Sequence, residues 1–411
     1  MENKTLKMLY PRLSIMMFFQ YMIFAVWWIP LAAYLANMGL SRNLTALILS
    51  SMAFGSVVSP MVGMLADRYF RGQYVLAFSN FMMAVMLLLA ANTTNPIMLF
   101  VFLLVAMLFY MPTWALTSSI SMHHVSSDNF AQIRVFGTIG WIFAGVFSAV
   151  NSGWLGRDFD GTHLPFYYGA ALSLMASVVN LTLPDTPPKA KAEKTSLIDI
   201  MGFRSITMLR DRNFTIFIAI FIFSMIPFTM YWSYFSEYLA DRGYRFITIT
   251  MSTGQMLEIF ILLSVPFFIK RFGLRNAMIV GLAALVVRYL ALYLAGDTAA
   301  LGFVLVGAGV HGIIFGYYHV GGQILADRKA PDSLKSQAQG LMFFITFAIG
   351  LLIGNFICGW IIRIFSTETP AGMEYNWENI WGVTAIMSLL VLFAFVLFFR
   401  KEDYQTVSIK E

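Results

Sequence analysis

Three charged residues, Arg134, Glu258 and Arg288, lie inside segments of the chain that are otherwise apolar. The segments are long enough to cross a lipid bilayer, where a charge at the centre costs about 2.5 to 3.5 kcal/mol even on the scales that give the lowest values. A side chain of this kind persists only where it faces a partner or a water-filled cavity. We therefore expect the three residues to line a binding site or to support one.

The first candidate constellation surrounds Arg134. Arg134, Thr138 and Trp141 are spaced i, i+4, i+7 and share one face of a helix. A guanidinium, a hydroxyl and an indole on one face suit a ligand with a hydrogen-bonding end and a flat ring. The alternative is that Arg134 sits at the cytoplasmic start of its helix and extends its charge to the membrane interface.

Gln255 and Glu258 form a second constellation, three residues apart and hence on one helix face. Glu258 is the only carboxylate that the sequence places well inside an apolar segment. A carboxyl group there can be neutral in one conformation and ionised in another, which is the property that a proton-coupling group needs. The alternative is a static ion pair with Arg288 or Arg134.

The third constellation is His311, Phe315 and Tyr318, again spaced i, i+4, i+7, followed by His319. The two histidines are too far apart to share a metal ion, because eight residues of helix rise about 12 Å. We therefore expect no metal site. One histidine is expected to line the site, and both are candidates for proton coupling together with Glu258.

Two further pairs, Gln20 with Trp27 and Thr229 with Trp232, are weaker candidates, because aromatic residues in membrane helices more often pack or lie at the interface. All the candidates together describe a cavity rich in flat rings and amides, with one acid and one base. Nucleobases stack on such rings for about 1 to 3 kcal/mol per base. A sugar would fit nearly as well, so these residues predict only a small, neutral, polar solute.

The candidate residues can converge only if the segments that carry them cross a membrane as helices. The chain is 59% hydrophobic and 12% charged, against roughly 25% charge in a soluble domain. Apolar segments of about 20 residues predict an all-α polytopic membrane protein with twelve spans. The expected spans are residues 12–37, 44–66, 73–91, 96–118, 134–153, 164–183, 213–236, 247–269, 276–295, 300–326, 336–363 and 379–399.

The charges between the spans predict the orientation of the protein. With both termini on one side, that side carries 20 of the Lys and Arg residues and the opposite side five. The positive-inside rule then places both termini in the cytoplasm, for a multi-pass protein of the inner membrane. Two six-helix halves, at 1–183 and 213–399, are expected around a cytoplasmic linker at 184–212, with a cytoplasmic tail at 400–411.

Several other classes of protein fit the sequence poorly. No phosphate loop of the form G-x-x-x-x-G-K-[ST] is present, which argues against an ATPase. The longest external gap is only about 16 residues, which leaves little room for the interfacial site of a membrane-embedded enzyme. The basic residues are dispersed and do not indicate a nucleic-acid partner. We expect a monomer that needs no cofactor and uses the proton gradient as its driving force.

The turn after the second span reads Gly63-Met-Leu-Ala-Asp67-Arg68-Tyr-Phe-Arg71-Gly72. It resembles the signature loop of the major facilitator superfamily, G-x-L-A-D-R-x-x-x-(R/K). We expect Asp67, Arg68 and Arg71 to fix the topology and to act as a conformational latch, without contacting the substrate.

Almost the full length of the chain is similar to the bacterial nucleoside permeases, the nucleoside:proton symporter family of that superfamily. The similarity lies in ordered blocks: Phe19-Gln20 with Trp27-Trp28, Tyr110-Met-Pro-Thr113, Ile133-Arg134 to Gly140, Leu181-Thr-Leu-Pro184, Gln255 and Glu258 before Pro266-Phe-Phe268, and Ala338-Gln-Gly340. The resemblance implies the major facilitator fold and a family binding site at Arg134, Thr138, Trp141, Gln255, Glu258 and Phe315.

The chain departs from the family pattern in two spans. Thr229 and Trp232 stand near positions where Gln and Asn are expected, and His311 and Gly316 stand where the family has Tyr and Asp. The resemblance implies a secondary transporter that imports nucleosides with protons by alternating access. A sugar or oligosaccharide proton symporter of the same superfamily is the alternative.

Overall fold

The structure, a computed structural model, describes residues 2–125, 127–188, 203–296, 298–331, 334–370 and 372–400. At residues 2–8, 62–68, 127–129, 131, 203–204 and 336 it describes the backbone alone. Within these ranges the chain is almost entirely helical, and its one sheet is a two-stranded hairpin.

Twelve helical segments in the described ranges are long and apolar enough to cross a membrane, which confirms the predicted number. We number them span 1 to span 12: Leu9–Asn37, Arg42–Met61, Gly72–Ala91, Pro96–His124, Gln132–Trp154, Leu164–Leu181, Arg212–Asp241, Ile247–Phe272, Leu274–Ala295, Leu301–Lys329, Gln337–Ile364 and Trp377–Phe398. The agreement follows from the lipid solvent, in which a helix satisfies all of its own backbone hydrogen bonds.

Several spans consist of more than one helical piece. The helices of the first half are Glu2–Trp28, Leu31–Asn37, Arg42–Leu49, Ser51–Tyr69, Gly72–Ala91, Pro96–His124, Ser127–Ser148, the π-helix Ala149–Trp154, and Leu164–Leu181. Those of the second half are the 3-10 helix Phe203–Arg210, then Arg212–Asp241, Ile247–Phe272, Leu274–Ala295, Leu301–Gly309, His311–Ile313, the π-helix Ile314–His319, Val320–Lys329, Lys335–Phe343, the π-helix Phe344–Gly350, Leu351–Ile364 and Trp377–Phe398. The hairpin strands are β1 (Ser366–Thr369) and β2 (Gly372–Tyr375), paired antiparallel.

The spans pack as two bundles of six. In the first, span 1 packs on spans 5 and 6, span 3 on spans 4 and 6, and span 2 on span 4. In the second, span 7 packs on spans 11 and 12, span 9 on spans 10 and 12, and span 8 on span 10. The bundles meet where span 1 contacts span 7, span 2 contacts span 11, and span 5 contacts span 8. Residues at the middle of these spans therefore face the interface between the halves.

The end of the interface opposite to the termini is closed by a buried ion pair. Arg42 in span 2 and Glu237 in span 7 approach to 2.5 Å, and their side chains are 8% and 0% exposed. The second guanidinium nitrogen of Arg42 donates to the Tyr375 hydroxyl at 2.5 Å, so the hairpin covers the pair. We name these three residues the external clasp, after the side that the sequence predicts for this end. Glu237 lies close to the end of span 7 and is a second buried carboxylate within the spans, besides Glu258.

A second contact at the same end joins the halves through Asp160. The Thr248 hydroxyl, at the start of span 8, donates to Asp160 at 2.5 Å, and the Thr248 amide donates at 3.1 Å. Ser148 of span 5 also donates to this carboxylate at 2.5 Å. Arg245 adds a hydrogen bond to the Ser152 carbonyl at 3.0 Å. Polar contacts therefore hold the two halves together at this end.

At the end that carries the termini, two ion pairs among the described residues each lie within one half. Arg71 pairs with Asp185 at 3.1 Å, and both side chains are more than half exposed. Lys329 pairs with Asp211 at 3.0 Å inside the other half. Of the predicted latch residues, Arg71 is thus tied to the segment after span 6. The side chains of Asp67 and Arg68 lie outside the described residues.

Candidate functional site

A cavity of about 730 Å³ lies between the two halves, at the middle of the spans and extending toward the end that carries the termini. Spans 1, 4 and 5 form one wall, and spans 7, 8, 10 and 11 form the other. The predicted residues that line the cavity are Arg134, Thr138, Trp141, Trp232, Gln255, Glu258, His311 and Phe315. Side chains that the sequence selected on four different spans therefore lie around one space.

Arg134 lies against an aromatic ring in the first wall. Its guanidinium carbon is 4.2 Å from the centroid of the Tyr21 ring, which also lines the cavity. Such a contact stabilises a cation over an aromatic face. Arg134 therefore lines the cavity in this conformation.

Aromatic rings close the cavity at its deeper end. Trp141 of span 5 and Trp232 of span 7 contact each other across the halves, with ring centroids 5.6 Å apart. Phe228 stacks on Trp232 at 5.8 Å, and Tyr21 stacks on Trp114 at 5.8 Å in the opposite wall. A flat ring entering from the open end would meet aromatic faces on both sides.

Glu258 and His311 lie side by side in the second wall. Glu258 Oε2 is 3.9 Å from His311 Nε2, with side-chain exposures of 12% and 1%. Among the described residues, Glu258 forms no ion pair with Arg134 or Arg288, the two partners expected from the sequence. The charged partner of Glu258 in this conformation is a histidine, which carries charge only when it is protonated.

Two glycines allow spans 8 and 10 to approach closely enough for this contact. A Cβ atom on Gly312 would lie 2.6 Å from Glu258 Cα, and a Cβ atom on Gly254 would lie 2.7 Å from His311 Cβ. Real Cβ atoms do not approach that closely, so any larger residue would push the spans apart. The glycines therefore determine the spacing between the acid and the imidazole.

Several polar atoms of the cavity lining have no hydrogen-bond partner within the described part of the chain. They are the indole nitrogens of Trp114, Trp141 and Trp232, the side-chain oxygen of Gln255, and Nδ1 of His311. Leaving a buried donor or acceptor unpaired costs about 1 to 3 kcal/mol. A ligand with both donors and acceptors would relieve that cost, so the lining is prepared for a polar molecule.

Four residues predicted to bind the substrate do not line this cavity in this conformation. Gln20 is buried and donates to the Thr113 hydroxyl at 2.5 Å, so its amide serves packing between spans 1 and 4. Trp27 packs against Phe166 of span 6 at 5.8 Å. Thr229 faces Gly354 of span 11 and is fully buried there.

The fourth residue, Tyr318, is displaced by local helix geometry. Residues Ile314–His319 form a π-helix, which has more residues per turn than an α-helix. The i+7 position therefore does not return to the face of His311, and Tyr318 packs on Phe221 instead, at 5.3 Å. His319 packs on Phe228 at 4.3 Å and on Phe315 at 5.8 Å, one ring away from the cavity.

The site also contains residues that the sequence argument did not identify, namely Tyr21, Trp114, Phe228, Phe343 and Phe347. Tyr21 and Trp114 follow directly after blocks that the sequence singled out, Phe19-Gln20 and Tyr110 to Thr113. A search for aromatic residues directly after these two blocks would have found both. No group of three His, Cys, Asp or Glu residues that could hold a metal ion occurs among the described side chains.

Comparisons with known proteins agree with this geometry. The sequence profile of the family described as "Nucleoside H+ symporter" matches residues 7–404. YegT of Escherichia coli (strain K12) is 35% identical over 97% of this chain and 96% of that protein. The xanthosine permease of the same organism is 28% identical over 95% of both chains.

The fold is also found among solved structures. The crystal structure of the nucleoside transporter NupG superimposes with a TM-score of 0.83 and 24% identity, covering 96% of this chain and 100% of that one. A bacterial homologue of the lysosomal transporter Spinster, in an inward-facing conformation, superimposes with a TM-score of 0.71 and 15% identity, covering 96% of each chain. The chain therefore has the major facilitator fold of two six-helix halves.

Proposed function

The chain belongs to the nucleoside H+ symporter family, and we propose that it imports nucleosides together with protons by alternating access to the cavity between its halves. It is a multi-pass transporter of the bacterial inner membrane and not an enzyme. The observation that carries the proposal is the cavity itself, in which unpaired polar atoms, aromatic faces and a carboxylate with a neighbouring imidazole line one space.

The aromatic residues are assigned to the base of the nucleoside. Trp141, Trp232 and Phe315 supply flat faces, and base stacking contributes about 1 to 3 kcal/mol per ring in other proteins. The unpaired indole nitrogens can donate to base carbonyls. These contacts account for a preference for a flat heterocycle over an aliphatic solute.

The polar residues are assigned to the ribose and to the polar edge of the base. Arg134 and Thr138 supply donors from one wall, and Gln255 supplies an unpaired acceptor from the other. Because the two walls belong to different halves, a bound nucleoside would bridge them. Ligand contacts of this kind favour closure of the halves around the substrate.

The proton is assigned to the Glu258 and His311 pair. An excess proton on the pair can reside on a carboxylate oxygen or on the imidazole, 3.9 Å apart, and both groups border the cavity. His319 is the weaker candidate, since it is separated from the cavity by the rings of Phe315 and Phe228. The driving force is the proton gradient, and no cofactor is invoked.

The orientation and the state of the chain follow from the same proposal. Both termini are assigned to the cytoplasm on the basis of the basic residues on their side. The external clasp then closes the periplasmic end, and the cavity extends toward the cytoplasm. Alternating access requires the clasp to open, while Asp67, Arg68 and Arg71 act at the cytoplasmic end. The transporter is taken to be a monomer, because one chain encloses a complete cavity.

Uptake by purified protein in liposomes tests the function. With an acidic exterior and a neutral interior, labelled uridine should accumulate, and a protonophore should abolish the accumulation. Counterflow of labelled uridine against a labelled disaccharide compares the two substrate classes without a gradient. Uptake of the disaccharide alone would overturn the proposal in favour of a sugar symporter. Saturable binding of uridine without uptake would overturn transport itself.

A further inference from the structure

Arg288 of span 9 is a buried cation that the proposed transport mechanism has not used. Its side chain is 0% exposed, and no carboxylate in the described residues pairs with it. Its Nε donates to the Gly307 carbonyl at 2.9 Å, but Nη1 and Nη2 find no acceptor within the described part of the chain. A buried charge without a counter-charge is costly, so packing alone does not account for this residue.

A row of contacts leads from Arg288 to the cavity. The guanidinium carbon lies 3.8 Å from the centroid of the Tyr231 ring. The Tyr231 ring stacks on His311, with centroids 5.5 Å apart and planes inclined by 26°. His311 in turn lies 3.9 Å from Glu258. Three contacts, through Tyr231 and His311, therefore connect the buried cation to the carboxylate at the cavity wall.

The structure assigns Arg288 the role of a positioning residue for proton coupling, which acts through Tyr231 on His311 and keeps the excess proton of the pair on Glu258. This inference rests on the proposed proton symport. The cation holds the Tyr231 ring face by electrostatic attraction, and that ring fixes the plane of the imidazole. A protonated His311 would place a second positive charge one ring away from Arg288, and like charges repel strongly where water is excluded.

The other charged or titratable groups around the pair do not replace Arg288. Arg134 interacts electrostatically with Glu258 from the opposite wall, and His319 interacts electrostatically with His311 from the same span. Tyr289 lies beside Arg288 and donates its hydroxyl to the Pro227 carbonyl. Proton transfer needs no further reactant. A proton binds a carboxylate oxygen of Glu258 while the cavity is open to one side of the membrane, and it leaves while the cavity is open to the other side.

The pH profile of uridine uptake tests this role. In R288M, we expect the pH at which proton-driven uptake falls to half to move about one unit toward alkaline. The reason is that loss of the nearby cation raises the proton affinity of the Glu258 and His311 pair about tenfold. R288K retains the charge and should restore most of the wild-type profile. R275Q removes a guanidinium that binds the carbonyls of Phe399 and Val396 in the same half, and should leave the profile unchanged.

Two further measurements separate this role from a structural one. Uridine counterflow at fixed pH, with protons equal on both sides, shows whether R288M is folded and binds substrate; if it is not, R288Q serves as the second neutral variant. In an H311Q background, R288M should no longer move the profile. An unchanged profile in folded R288M or R288Q would overturn this inference alone. Wild-type uptake that ignores the proton gradient would overturn the proposed function as well.

Discussion

Two buried carboxylates of the second half, Glu258 and Glu237, meet different partners. Glu237 contacts Arg42 of the other half at 2.5 Å and is fully buried within the external clasp. Glu258 contacts His311 of its own half at 3.9 Å and borders a cavity. An arginine remains charged at every physiological pH, whereas a histidine gains or loses its charge near neutrality.

The partner therefore decides what each buried carboxylate can do. Glu237 faces a permanently charged arginine from the other half, so the pair can hold the two halves together. Glu258 has no permanent counter-charge in its ion pair, so its charge can change during a transport cycle without separating the halves. The comparison predicts that neutralising Glu258 removes proton-driven accumulation with little loss of stability. Neutralising Arg42 in the clasp should instead lower the stability of the protein.

The largest functional effect is expected for E258Q. The amide keeps the shape of the side chain but cannot take up a proton, so accumulation of uridine against a gradient should be lost while counterflow continues. Liposome uptake with and without a pH gradient measures both. A variant that still concentrates uridine would remove Glu258 from the coupling role, and a large drop in its unfolding temperature would break the contrast with Glu237.

The largest stability effect is expected for R42M, which leaves Glu237 buried without its cation. Loss of one partner from a buried ion pair costs about 3 to 5 kcal/mol. The double variant R42M/E237M should recover much of this loss, because apolar residues of similar size often replace such a pair well. Thermal unfolding in detergent compares the three proteins. Equal stability of R42M and wild type would show that the clasp does not hold the halves together.

A smaller effect is expected for R134A, which tests the cavity wall opposite Glu258. Loss of charge-assisted hydrogen bonds to the substrate should weaken uridine binding by about 1.5 to 3 kcal/mol, or roughly 10- to 100-fold in Kd. R157A, which removes an exposed arginine from the loop after span 5, is the matched control. Isothermal titration with uridine gives both affinities, and an unchanged value for R134A would remove the residue from the binding site.

The smallest effect is expected for Asp160, the second carboxylate at the closed end. Burial raises the pKa of Asp160, although hydrogen bonds from Ser148 and Thr248 act in the opposite direction. A raised pKa in the closed state means that closure is strongest at acidic pH and weakens as pH rises through that value. D160N keeps an acceptor without titrating, so it should remove this dependence.

The closure can be followed with a single cysteine at position 249. Ile249 packs against Gly145 across the halves, so its replacement reports on separation at the closed end. In a C358A background, the labelling rate of the I249C cysteine should rise with pH by more than the labelling rate of a small free thiol. This additional rise should occur in the parent protein and be absent in D160N. The same rise in both proteins would assign the effect to another group.

The fold and half of the site could be predicted because both depend on local patterns. Runs of about twenty apolar residues determine the spans, and the spacing of Arg134 with Thr138 and of Gln255 with Glu258 determines which faces they share. The resemblance to a family added the identity of the solute. These inferences required no knowledge of how one span packs on another.

The rest depended on tertiary structure or on departures from the regular helix. Tyr318 was misplaced because a π-helix shifts the faces of span 10, a change that apolar spacing does not reveal. Glu237 was missed because it lies past the predicted end of span 7, and its burial needs Arg42 from a distant span. Asp160 lies in a loop, and only packing of span 8 against span 5 makes it a contact between halves.

The proposed proton site owes its dimensions to two residues that cannot bind a proton. Gly254 and Gly312 contribute no charge, ring or hydrogen-bonding side chain. The carboxylate and the imidazole nevertheless lie close together only because each glycine lacks a Cβ atom. A single added methyl group at either position would increase the distance between the two groups without removing either of them. The chemistry of this transporter thus depends on the close approach of two helix backbones as much as on the groups that titrate.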